Sequence, residues 1–252
     1  MNRRFWVYIL LLIFIIPSKV EAQRWKLKRY EASFGVGTSH PFMDIGNNND
    51  GLRSFQLAGT RPAATIGARY KLLQDVSAGI DLSYIMFGGI DVDGGLTVHS
   101  FTSNTFEPVA TLQYNIVSEG RTFGSTSLFN RRGMVNNYNS ADFYIFAGMG
   151  GILSKASAKD VNGQIDNDAA FFDNNMHYGI VFPVVVGFKY SVDAYWNFGV
   201  EVGGRFSLTD NLDGYATPYS EYNDRYITTS FKAIYKIRND RRGVPIFNKY
   251  GR

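Results

Sequence analysis

Apolar residues recur at every second position, segment after segment, between Tyr30 and Ile237 of this 252-residue chain. Tyr30, Ala32, Phe34 and Val36 alternate with Glu31, Ser33, Gly35 and Gly37. Ala64, Ile66, Ala68 and Tyr70 alternate with Thr65, Gly67 and Arg69, and Val76, Ala78, Ile80, Leu82 and Tyr84 with Ser77, Gly79, Asp81 and Ser83. The pattern returns in Ala110, Leu112 and Tyr114, in Val184, Val186, Phe188 and Tyr190, in Trp196, Phe198, Val200, Val202 and Phe206, and in Ile227, Thr229, Phe231, Ala233, Tyr235 and Ile237. Successive side chains of a strand point to opposite faces, so each segment reads as a strand with one apolar and one polar face. Segment 142–153 is also strand-like, but its run 143–147 is too apolar to fix the faces. No helical period competes over any long window, and the fold class is all-β.

The connections have their own rhythm. Segments two and three are joined around residues 72–75, and six and seven around 191–195. Between them come long links at 39–60, 89–104, 154–177 and 208–224. Short turns at one end and long loops at the other predict an eight-stranded antiparallel up-and-down transmembrane β-barrel. One link departs from the rhythm: 117–140 is long yet falls on the short-turn side.

Alternation alone does not separate an apolar-out membrane barrel from an apolar-in soluble one; two further features do. The polar face is rich in glycine and small hydroxyls, and its charges are few and nearly balanced: Glu31, Arg69, Asp81, Glu107, Lys189, Glu201, Arg205, Lys232 and Lys236. A solvated surface carries more charge than this, whereas a narrow lumen needs paired charges. On the apolar face, Tyr30, Tyr70, Tyr114, Tyr190, Trp196 and Tyr235 all fall at the short-turn end, the level of an aromatic girdle at a membrane interface. Eight strands enclose a space that side chains can fill, so the lumen charges read as a structural network rather than a pore lining.

Residues 1–22 read as a signal peptide: Arg3 and Arg4, an apolar stretch at 5–16, and small residues Val20 and Ala22 before the expected cleavage site. The stretch is too short to span a bilayer, which takes about 20 apolar residues. The expected division is signal peptide 1–22, barrel 23–237 and a basic periplasmic tail 238–252. With no cysteine, the chain has no disulfide, thiolate metal cluster, catalytic thiol or lipidated cysteine.

The formal charge of +4 hides two opposed fields. Residues 23–29 carry Arg24, Lys26, Lys28 and Arg29; the tail carries Arg238, Arg241, Arg242, Lys249 and Arg252 against Asp240. The four long links hold 12 acidic and 3 basic residues. The positive charge sits at two chain ends rather than on an aromatic platform, which argues against nucleic acid as a partner. The expected partners are outer-membrane lipid and lipopolysaccharide, the barrel-assembly machinery, and periplasmic secretion-ring or envelope proteins. Arg121, Arg131 and Arg132 of the long link join Arg238, Arg241 and Arg242 as candidate docking contacts, because links that long are often functional.

Signals for chemistry are weak. His40, His99 and His177 are placed in long loops near Asp44, Asp93 and Asp173, without a spacing diagnostic of a rim hydrolase or acyltransferase. Residues 91–95 resemble the opening of a calcium loop, but the later ligands at EF-hand spacing are missing. No cofactor is expected, and neither catalysis nor small-solute conduction leads. Adhesion or envelope stabilisation through the acidic loops is the alternative to a scaffold.

Several runs carry a family resemblance. Arg29-Tyr30-Glu31-Ala32-Ser33-Phe34-Gly35-Val36-Gly37, with Asp44-Ile45-Gly46 following, resembles the opening strand and loop of small outer-membrane barrels of Bacteroidota-type bacteria. Thr60-Arg61-Pro62-Ala63-Ala64-Thr65-Ile66-Gly67-Ala68-Arg69-Tyr70-Lys71 is similar to their second strand, Tyr144-Ile145-Phe146-Ala147-Gly148-Met149-Gly150 to their fifth, and Gly243-Val244-Pro245-Ile246-Phe247 to their closing tail. Within that group the chain resembles the PorG-like barrels of the type IX secretion system. The resemblance implies a barrel that anchors a periplasmic ring of secretion proteins and catalyses nothing.

Overall fold

Eight strands form where the alternation lies: β1 (Tyr30–Phe42), β2 (Arg61–Lys71), β3 (Val76–Ile90), β4 (Ser100–Val117), β5 (Ala141–Lys159), β6 (Met176–Ser191), β7 (Trp196–Ser207) and β8 (Arg225–Ile237). The computed structural model describes residues 28–42, 59–90, 100–117, 141–159, 175–193, 195–209, 212, 214, 223–240 and 243–246. The signal peptide expected over 1–22, Arg24 and Lys26, residues 118–140 with Arg121, Arg131 and Arg132, Arg241 and Arg242, His99, Asp44, Asp173 and segment 91–95 lie outside them.

Each strand pairs antiparallel with its neighbours in sequence, and β1 pairs with β8, so the sheet closes into an eight-stranded barrel without a free edge. The β1–β8 seam is a full ladder from Tyr30↔Ile237 to Phe42↔Arg225. Closure matters because an open sheet would leave a row of unpaired backbone groups. The β4–β5 ladder contains one irregularity, a register shift between Asn115 and Val117 that leaves Ile116 as an extra residue. Such a bulge increases local twist and redirects a strand, and it sits where the chain leaves the barrel for the long link.

The short turns are closed by local hydrogen bonds. Between β2 and β3, the N–H groups of Leu72 and Leu73 both donate to the Val76 carbonyl, at 2.9 and 3.0 Å. Between β6 and β7, Asp193 Oδ1 accepts from the backbone N–H of Tyr195 and of Trp196, each at 2.6 Å. Those two donors hold the Asp193 carboxyl below its usual pKa range.

At the other end the strands run further than the sequence suggests. β4 and β5 have 18 and 19 residues against 11 in β2. The links therefore shrink: that between β3 and β4, expected over 89–104, spans only 91–99. The histidines expected in loops are corrected accordingly, since His40 lies on β1 and His177 on β6.

The faces are unambiguous in three dimensions. Phe34, Ile66, Leu112, Val186 and Phe231 point outward and are half or more exposed, whereas Glu107 and Lys189 are inside and 1% exposed. In β5, Asp142, Tyr144, Phe146, Ile152 and Ser154 are buried, and Phe143, Ile145 and Met149 face out. The parity that the apolar run concealed is thus set by the neighbours: Tyr144 opposes Gly187 of β6, whose missing side chain leaves room for the phenol ring.

Candidate functional site

The interior holds the features that distinguish this barrel. Glu31, Arg69, Asp81, Glu107, Lys189, Glu201, Arg205 and Lys232 all lie buried within it. Lys236 and Asp142 are buried there as well, so five cations meet five anions among the buried strand residues. Lys71, only partly covered, adds a further cation at the short-turn end. Near-neutrality is required because a buried charge without a partner is far more costly than a paired one.

The charges fall into three connected groups. Nearest the short turns, Lys189 Nζ lies 3.6 Å from Glu31 Oε2 and 3.4 Å from Asp142 Oδ2, while Lys71 Nζ lies 2.9 Å from Glu31 Oε1. Lys236 Nζ donates to Ser191 Oγ at 3.3 Å.

In the middle, Arg69 and Lys232 face Asp81 and Glu201. Arg69 is 3.1 Å from Asp81 and 3.7 Å from Glu201; Lys232 is 3.6 Å from Asp81 and 2.8 Å from Glu201. Each cation contacts both anions, so the four form a closed ring of attractions. Tyr144 donates its hydroxyl to Glu201 at 2.7 Å. Phe146 offers its ring to both cations, with Arg69 at 5.0 Å and Lys232 at 5.8 Å from the centroid.

Towards the long loops, Arg205 Nε donates to Glu107 Oε1 at 2.9 Å and its guanidinium also bonds Thr228 Oγ1. The Tyr226 hydroxyl donates to Glu107 Oε2. A cavity of about 10 Å³ lined by Asp81, Lys232, Glu107 and Arg205 separates this pair from the middle group, space for about one water.

Above Arg205 the interior changes character. Ile85, Phe87, Phe101, Val109, Ile152, Val181 and Tyr226 pack into an apolar cluster, with Ala63 against it. Leu212, from the link between β7 and β8, is fully buried in that cluster. Its N–H donates to Asp224 Oδ2 at 2.7 Å and its carbonyl accepts from Ser154 Oγ at 3.1 Å, so the backbone entering the mouth is hydrogen-bonded. The glycine-rich polar inner face therefore does not extend to the long-loop end, where the inward positions are apolar and a loop residue caps them.

The outward aromatics Tyr30, Tyr70, Trp196 and Tyr235 meet in pairs at the short-turn end. Tyr30 and Tyr70 have ring centroids 5.0 Å apart, as do Trp196 and Tyr235, and Tyr195 stacks on Tyr235 at 6.2 Å. Tyr114 and Tyr190 stand at the same end, exposed on β4 and β6. Arg238 follows β8 directly, and the chain then doubles back. Asn239 bridges Pro245, the Ile246 N–H donates to the Arg238 carbonyl at 2.8 Å, and Gly243 takes a φ of 83° that its lack of a side chain permits.

His40 and His177 belong to the rims of strands. Thr60 Oγ1 lies 2.9 Å from His40 Nδ1, and His177 stands opposite Ser154. Among the described residues, no group of three or more His, Asp or Glu side chains is placed to hold a metal ion.

Sequence reasoning missed Lys71, Asp142, Tyr144, Tyr226 and Leu212. Lys71 shares the parity of Arg69 and could have been read. Asp142 and Tyr144 were hidden by the apolar run beside them, and no local signal marks Leu212 as the loop residue that turns inward.

The lid of Tyr144 over Gly187 gives a direct check. A Cβ on Gly187 would collide with the Tyr144 ring, so Gly187→Val should displace the phenol from Glu201. A loss of about 1–3 kcal/mol is expected, read as a lower urea midpoint for unfolding in detergent. Tyr144→Phe, which removes the hydrogen bond without the clash, should cost less.

Residues 158–236 match the family model described as a domain of unknown function, DUF6089. No curated protein matches the sequence. Among solved structures, the chain is similar to Neisserial surface protein A, at 12% identity over 82% of this chain and 96% of that one, with a TM-score of 0.45. It is similar to Ail, the attachment invasion locus protein of Yersinia pestis, at 12% identity over 83% and 97%, with a TM-score of 0.40. The N-terminal β-barrel domain of Pseudomonas aeruginosa OprF gives 12% identity over 82% and 97%, with a TM-score of 0.40. The closed strand order, and not these likenesses, establishes the fold as an eight-stranded antiparallel β-barrel.

Proposed function

We propose that this chain is a non-catalytic outer-membrane barrel that serves as an anchor or scaffold for a periplasmic assembly. One observation carries the membrane reading: charged strand side chains are gathered inside the barrel, while its outward face exposes large apolar side chains on every strand. An apolar belt around the whole circumference far exceeds the few hundred Å² that soluble monomers expose. In lipid that belt is matched, and a closed sheet leaves no backbone group unsatisfied. The tyrosines and Trp196 at one level then lie at an interface.

The anchor reading follows from the interior. The ion-paired groups and the Leu212 cap occupy the lumen, which favours action at the barrel's two ends over passage through it. Both described chain ends lie at the short-turn end, where basic residues collect, while the long links are acidic. Short turns face the periplasm in barrels of this kind. The long link with Arg121, Arg131 and Arg132 and the tail with Arg238, Arg241 and Arg242 are the contacts proposed for docking. A periplasmic ring of secretion proteins, the partner implied by the resemblance to PorG-like barrels, is the assembly proposed.

Charge reversal of Arg238, Arg241 and Arg242 to Glu should leave the barrel folded, seen as unchanged heat-modifiable migration. Recovery of cross-linked periplasmic proteins from intact cells should fall about tenfold, the loss expected when a few rim charges are reversed. Unchanged recovery of every partner would end the docking proposal. The acidic links favour a second reading, adhesion or envelope stabilisation through divalent cations bridging to lipopolysaccharide. Protease shaving of whole cells that leaves binding and envelope integrity intact counts against it.

A further inference from the structure

The chain that leaves β8 folds once more at the short-turn end. Asn239 bridges Pro245 in antiparallel register. The Asp240 N–H donates to the Val244 carbonyl and the Ile246 N–H to the Arg238 carbonyl, each at 2.8 Å. The Gly243 N–H donates to the Asp240 carbonyl at 2.9 Å, and Gly243 takes a φ of 83° just before the returning strand. A residue in that left-handed conformation commonly ends the short link of a hairpin. Residues 238–240 and 243–246 are therefore the two arms of a hairpin that is formed before any partner arrives.

The pairing fixes the two faces of the hairpin. Arg238 opposes Ile246 and Asp240 opposes Val244, so these four share one face, and Asn239 and Pro245 share the other. Asn239 is 2% exposed and Pro245 half-buried. Arg238, Asp240, Val244 and Ile246 are all exposed, Val244 at 59% and Ile246 at 43%. The polar amide and the proline are packed away, and two β-branched apolar side chains point out beside an arginine and an aspartate. Charge is distributed unevenly around them: residues 238–252 carry Arg238, Arg241, Arg242, Lys249 and Arg252 against Asp240.

We propose that this exposed hairpin face docks a periplasmic protein, Val244 and Ile246 seated in an apolar cleft that carboxylates rim. This rests on the scaffold reading above and gives its contact a shape: the apolar pair anchors and the arginines steer. The hairpin is already ordered, so docking does not have to pay for folding it. A lipid surface fits the face poorly, because a membrane-surface element sets its apolar and charged residues on opposite faces, whereas here they share one. A second copy fits poorly as well, since it would bring two basic tails together. An apolar centre within a charged rim is the anatomy of a protein interface.

The test sets a photo-cross-linking residue in place of Asn248, two positions past Ile246, in the full chain in intact cells. Mass spectrometry names the captured protein, which is then purified and titrated against the barrel in nanodiscs. Val244→Ser/Ile246→Ser, which changes no charge, should weaken its affinity about tenfold or more. Gly243→Val should do the same through the backbone alone, because a Cβ there meets no atom within 4 Å but is strained at that φ. Gly243→Asn, which tolerates the left-handed conformation, should retain most of the affinity. All three variants should keep the heat-modifiable migration of the folded barrel. Affinity that survives Val244→Ser/Ile246→Ser or Gly243→Val overturns the hairpin face; if it still falls when Arg238, Arg241 and Arg242 are reversed to Glu, docking by charge stands. Affinity that no variant changes, or capture of lipid and no protein, overturns both.

Discussion

Glu201→Met should destabilise the barrel by about 3–5 kcal/mol, the cost of leaving buried charges without a partner. Glu201 faces Lys232 at 2.8 Å and Arg69 at 3.7 Å, and it accepts the Tyr144 hydroxyl at 2.7 Å. Its removal leaves two cations against Asp81 alone. The double variant Glu201→Met/Lys232→Met restores the balance, because Arg69 and Asp81 remain paired at 3.1 Å. It is therefore expected to be more stable than either single variant. Urea unfolding in detergent, followed by tryptophan fluorescence, gives the four midpoints of the cycle. Losses that merely add, within about 0.5 kcal/mol, would show that the four groups do not act together and would remove the lumen network as a stabilising unit.

The second large effect lies on the other face. Ile66 is 54% exposed, in the middle of β2 and opposite Phe34 and Leu82. In a bilayer it sits in hydrocarbon, and Ile66→Arg should cost about 2–4 kcal/mol, whereas a charge near the interface costs about 0–1 kcal/mol. Tyr114→Arg, at the girdle, is the matched control. The fraction folded into lipid vesicles, read by gel migration with and without heating, should fall for Ile66→Arg and hardly change for Tyr114→Arg. In a barrel surrounded by water, Ile66→Arg would be neutral or would raise solubility. Equal behaviour of the two variants would therefore refute the membrane face.

The strand number, the antiparallel order and the parity of seven of the eight strands were legible because alternation is a local property that each strand repeats on its own. Where local contrast failed, so did the reading. In β5 the run Phe143 to Ala147 has no polar residue to mark the inside, and parity there comes from Tyr144 fitting over Gly187 of the next strand. Loop boundaries were misjudged at the long-loop end because Ile85, Phe87, Phe101 and Val181 face inward there and break the apolar-out rule. His40 and His177 were assigned to loops because β1 and β6 extend beyond their clearly alternating stretches.

The sequence by itself determined that this chain forms an inverted, closed sheet of eight strands with a basic and an acidic end. Period-two patterning and turn spacing suffice for that, since a shift of one residue would move a whole apolar face inside. Only the tertiary structure decided which charges meet, that Leu212 is buried in the mouth and that Lys28 and Arg29 stand over Tyr195 and Tyr70. Those contacts join residues remote in the chain, as Arg205 and Tyr226 join Glu107 across 98 and 119 positions. They depend on the stagger and tilt of a closed barrel and on side-chain reach across its interior, quantities that no local pattern encodes.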